Sequence, residues 1–143
     1  MSRAAELSTA IMERLSSIKP ADGFNTQIDR VYGFGDVKPE RAQPPYLLVR
    51  IAGDSLKEMA GTVASREVTY EIEGVLGRDA SLQDLQHLHY DVLVTLGTGQ
   101  LPHISPLKTG RPFEESAEFT PDVNGSNARS FVSSVTLVYV ERY

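Results

Sequence analysis

The chain predicts an α+β fold: a mostly antiparallel β-sheet with two helices packed on one face, and long loops between the elements. Two segments repeat apolar residues at intervals of three and four. One segment alternates between apolar and polar side chains, and short apolar runs lie between clusters of glycine and proline. These patterns mark amphipathic helices, a half-covered strand and buried strands, in that order. A chain of 143 residues, 41% of them hydrophobic, has the material for one core, so residues 1–143 are expected to form a single domain.

Ser2 is placed to cap a first helix, in which Ala4, Leu7, Ile11, Leu15 and Ile18 form one stripe while Arg3, Glu6, Glu13 and Arg14 lie on other faces. Pro20 stops it. Residues 24–32, set between Gly23 and Gly33, suit a short strand. Residues 33–45 mix glycine, proline and charge, and read as an exposed loop. The run Tyr46, Leu47, Leu48, Val49, Arg50, Ile51 is too short for a helix and predicts a strand buried on both faces and ending before Gly53.

In 66–76, Val68, Tyr70 and Ile72 alternate with Glu67, Thr69, Glu71 and Glu73, so one face is apolar and the other carries carboxylates. Asp79 or Ser81 caps a second helix over 81–96, with Leu82, Leu85, Leu88, Val92 and Leu96 at helical spacing. Residues 97–128, rich in glycine and proline, read as a long loop that ends in an Asn124-Gly125 turn. The last run, 131–140, is apolar on both faces and belongs inside the sheet or at a subunit contact.

A formal charge of −5 has the wrong sign for a protein that grips phosphate backbones, and the absence of cysteine removes disulfides, thiolate metal sites and thiol nucleophiles. No apolar run reaches membrane-spanning length, and Glu6, Glu13 and Arg14 interrupt the start where a secretory signal is unbroken, so a soluble protein is expected. His87 and His89 point apart on a helix, and His103 lies in the long loop. Asp84, His87 and Asp91 share a helical face that can hold a cation, but their plain reading is a solvated stripe. Gly33-Phe34-Gly35 and Gly97-Thr98-Gly99 lack the rest of a phosphate loop and read as turns, and no nucleophile elbow occurs. Glu67, Glu71 and Glu73 admit acid–base chemistry or calcium binding, yet read first as a wet sheet face. A third reading of the same residues is an acidic wall past which a polyanion moves without sticking. The chain is therefore expected to be no enzyme and to carry no cofactor or metal.

The ordered tokens Ala4 to Ile18, Gly23-Phe24-Asn25-Thr26, Pro44-Pro45-Tyr46-Leu47-Leu48-Val49, the alternating strand, the second helix and Asn124-Gly125-Ser126-Asn127 ahead of the last strand run over nearly the whole chain. In that order they resemble the tail terminator, or tail completion, proteins of long-tailed bacteriophages, lambda-like type. The resemblance implies a structural subunit of the virion neck, assembled in the host bacterial cytoplasm. It implies a homo-oligomeric ring, a hexamer, that caps the tail tube, stops its polymerisation and joins it to the head connector. Its partners are then the tube protein and the connector, with DNA passing through unbound and no membrane involved. For such a ring, Glu67, Glu71 and Glu73, or Glu114, Glu115 and Glu118 in the long loop, are the candidate acidic lining. Lys38, Glu40, Arg41, Lys108 and Arg111 are candidate contacts to neighbouring subunits or partners. Other readings are a different neck or baseplate component of a phage or contractile injection system, and a small ligand-binding or metal-dependent enzyme domain built on the Glu67, Glu71, Glu73 face or the Asp84, His87, Asp91 stripe.

Overall fold

Apolar spacing of three and four gives helix α1, Arg3–Leu15, which Ser2 caps by accepting the Ala5 amide at 3.3 Å. The computed structural model describes residues 2–33, 43–97, 109–120 and 128–143, with 109–113 and 128 described by backbone alone. The helix ends three residues before the predicted Ile18, yet Ile18 is fully buried and extends the apolar stripe beyond the helix. A single 3-10 turn, Pro20–Asp22, then closes on Gly23, whose φ of +91° is natural for glycine.

Strand β1, Arg30–Gly33, is shorter and later than the predicted 24–32, because residues 25 and 26 are drawn instead to the second helix. Gly33 is no turn: a side chain there would come within 2.8 Å of the Val49 carbonyl oxygen, so glycine permits the strands to close. Strand β2, Tyr46–Ala60, runs well past the predicted end at Ile51. Two bulges, between Ile51 and Gly53 and between Leu56 and Glu58, break the alternation that would have revealed the extension. Its burial also differs from expectation: Tyr46, Leu47 and Val49 are buried, but every residue over 50–60 is exposed. The strand turns at Gly61, with φ +61°, into β3, Val63–Gly77.

Helix α2, Leu82–Leu96, starts with a reciprocal capping box, in which Ser81 accepts the Asp84 amide at 3.1 Å and Asp84 accepts the Ser81 amide at 2.9 Å. Of the two predicted caps, Ser81 is the one used. Its C-terminus closes on Gly97 at φ +85°. The predicted loop 97–128 contains a strand, β4, Thr109–Thr120, whose proline, charges and bulge between Glu114 and Ser116 hide any alternation. Strand β5, Ala128–Arg142, completes the sheet. The predicted Asn124-Gly125 turn and His103 lie outside the described residues.

The sheet order is β1-β2-β3-β5-β4; among the described residues only the β1–β2 pair is parallel, so the fold is α+β with a mostly antiparallel sheet. Both helices sit on the face that carries Val68, Tyr70 and Ile72 of β3 and Phe131, Val135, Leu137 and Tyr139 of β5. Leu7, Ile11 and Leu15 of α1 and Leu85, Leu88, Val92 and Leu96 of α2 fill the space between the layers. At Gly74 the Phe131 ring lies where a β-carbon would be, 2.4 Å from its nearest ring atom, so the aromatic ring packs onto bare backbone. No helix among the described residues is long and apolar enough to cross a membrane.

Candidate functional site

Alternation in β3 sends Glu67, Thr69, Glu71 and Glu73 to the face opposite α1 and α2. The antiparallel register sets Val138, Thr136, Ser134 and Val132 of β5 beside them. Val132 also pairs with Glu118 of β4, so Glu118 shares the face with Glu73 across one intervening strand. The surface is thus a shallow, half-exposed sheet of carboxylates, hydroxyls and short apolar side chains.

Two cations of β2 reach into this row. Arg50 Nε donates to Glu71 at 2.8 Å, and Lys57 Nζ stands 3.3 Å from Glu67. Lys57 enters at the second bulge, which re-aims one side chain out of the strand's alternation. Lys57 lies beyond the predicted strand end at Ile51, and Arg50 lies within it on a strand expected to be buried on both faces; the cross-strand pair Arg50↔Glu71 follows from the β2–β3 register, which the sequence pattern does not show. Both pairs are solvent-exposed and of small energetic weight, but each ties a cation to a carboxylate on the same face.

Glu114 does not join the row. It belongs to a strand rather than a loop, and it points under α2, where its Oε2 accepts the hydroxyl of buried Ser133 and lies 2.6 Å from His89 Nε2. The His89 ring meets Phe119 and Phe131 edge-on, each at 5.3 Å between centroids. Serine, carboxylate and histidine are all present, but the carboxylate stands between the other two. A nucleophilic triad needs the imidazole between serine and acid, so this trio fastens β4, β5 and α2 together and is not arranged for attack. Glu115 sits at the bulge and is exposed. Lys38, Glu40, Arg41 and Lys108 lie outside the described residues, and Arg111 is placed in β4 by its backbone.

The stripe Asp84, His87, Asp91 separates as well. Asp84 is exposed and occupied with the Ser81 cap, which holds its carboxyl below the usual aspartate value. Asp91 is buried at 1% exposure and accepts the Asn25 amide at 2.9 Å, the Asn25 side-chain amide at 2.9 Å and the Thr26 amide at 3.0 Å. A cleft of about 350 Å³ lies alongside, where Asn25, Thr26, Gln27, Asp84 and His87 face Pro45, Leu76 and Ala80. Among the described residues no cluster of three acidic or imidazole side chains is close enough to hold a metal ion. No protein-family model matches the chain, and no curated protein is significantly similar to it.

Proposed function

We propose that this chain is a structural subunit of a phage neck, a tail-terminator-like protein that closes with further copies into a ring, a hexamer in the family it resembles, on the end of the tail tube. The observation that carries the reading is the uncovered sheet face. Among the described residues the five-stranded sheet has helices on one side, which leaves a broad surface on the other for something outside the monomer, and that surface carries Glu67, Glu71, Glu73 and Glu118. Turned toward a channel, these carboxylates repel a passing phosphate backbone, while Arg50 and Lys57, being bound to Glu71 and Glu67, are restrained from gripping it. The order of helix, strands, helix and strands, on which the resemblance rests, supports the reading.

The test is assembly. Purified protein is mixed with tubes assembled from a long-tailed phage tube protein and viewed by electron microscopy. Rings capping tube ends, and tubes of arrested length, are the expected result. Bare tube ends with the protein left free, or tight retention of duplex DNA by the isolated chain, overturn the proposal.

A further inference from the structure

Strand β1 covers β2 only from Tyr46 to Val49, so residues 50–60 form a sheet edge with no neighbour among the described residues. That edge is ~36 Å of strand. The opposite edge is β4, 12 residues long and likewise without an outer neighbour among the described residues. Because the two edges bound opposite sides of one open sheet, they cannot satisfy each other within a single copy. Long exposed edges recruit strands, so both call for a partner that brings one.

The exposed apolar side chains fall along the same two margins. Ile51, Leu56 and Met59, at 49%, 51% and 52% exposure, lie on β2 opposite Tyr70, Arg66 and Ala64, on the helix side of the sheet and beyond the cover of the helices. Leu82 and Tyr90, at 47% and 61%, lie on α2. Leu82 is two turns before His89, the residue that meets β4, so it shares the β4-facing side of that helix. The other flank of α2 is held to α1, where the Thr95 hydroxyl donates to the Arg14 carbonyl at 3.0 Å. One margin therefore has a bare strand with an uncovered apolar shelf. The other has a bare strand with an exposed apolar helix flank. Charge does not oppose the match: Glu115 and Glu118 are exposed on β4, while residues 50–60 balance Arg50 and Lys57 against Asp54 and Glu58.

We infer that the two margins are partners in successive copies: β4 of one copy pairs with residues 50–60 of β2 in the next, and the α2 flank of the first covers the Ile51, Leu56, Met59 shelf of the second. The occupant of the edge is thus a second copy of this chain. Its direction follows from topology. Going from β2 through β3 and β5 to β4 reverses the strand three times, so β4 runs opposite to β2, and copies arrayed around one axis meet there antiparallel. Such a contact joins unlike surfaces, the head-to-tail kind that forms a ring when its rotation closes. The inference rests on the ring reading and assigns the surfaces that form it.

The chain has no cysteine, so introduced thiols are unique. Ser55→Cys and Ser116→Cys place one on each edge, at exposed positions on the uncovered face. The two single variants, one carrying a size tag, are treated with a flexible bis-maleimide, alone and mixed, free in solution and on tube ends. The expected product is a mixed dimer that forms only when both variants are present. In parallel, Leu56→Lys with Met59→Lys, both at exposed positions, is expected to keep the monomer's circular dichroism and melting and to weaken self-association about tenfold or more. Rings that cross-link only through like positions, or that assemble undiminished with both lysines present, overturn the edge assignment and leave the ring reading standing. A wild-type chain that never associates, free or on tubes, overturns both.

Discussion

Asp91 holds a buried carboxylate that satisfies two backbone amides and a side-chain amide of the segment before β1, so one residue fixes where that segment sits against α2. Replacing it with alanine leaves those part-buried donors without their acceptor. Asp91→Ala is expected to lower unfolding free energy by about 3 kcal/mol in urea denaturation, with Asp91→Asn falling between the two. Two tyrosines predict a pH dependence. Burial raises the Tyr70 phenol, against a lowering contribution from the Ser8 hydrogen bond, and burial raises Tyr139, reinforced by its hydrogen bond to Asp54. A phenol raised in the folded state contributes stability below the ordinary tyrosine range and loses it as pH climbs through the raised value. Alkaline spectrophotometric titration is expected to show an early phase from the exposed rings and a late phase, coincident with unfolding, that shrinks in Tyr139→Phe. None of these roles was legible in the sequence. Asp91 read as part of a wet stripe because helical spacing shows which residues share a side, not what packs there, and its partners lie more than 60 residues away.

At the scale of elements, legibility followed periodicity. The helices and β3 were readable because each buries one side and exposes the other, leaving a regular stripe or alternation. Most of β2 and all of β4 were not. Beyond Val49 neither side of β2 is buried, so no hydrophobic pattern was needed there, and bulges shift the register of both strands. The α2 assignment carries its own expectation. Leu85 and Val92 are fully buried on its core side, so replacing both with alanine is expected to cost several kcal/mol, about 4 or more, in chemical denaturation. Ser81→Ala removes only the cap and is expected to cost about 1 kcal/mol.

For the molecule as a whole, charge placement matters more than total charge. The net value of −5 shows only that the chain is acidic, whereas the sheet gathers Glu67, Glu71, Glu73 and Glu118 on one face and sends Glu114 to the other. Alternation made the first three legible as a set. Glu118 joined them, and Glu114 left, through strand pairing that no local pattern encodes. If the face lines a channel, Glu67→Lys, Glu71→Lys and Glu73→Lys together are expected to convert weak or absent duplex binding into salt-sensitive binding, measured by filter retention across a salt series. Unchanged, salt-independent retention would count against the lining.

The start of α1 is held by a residue from the last strand: the Arg3 and Ala4 amides donate to Glu141 at 2.9 and 3.2 Å. The 138-residue separation of Arg3 and Glu141 has a temporal meaning. A ribosome makes α1 long before β5, so a nascent chain holds that helix without its clasp until β5 has left the exit tunnel.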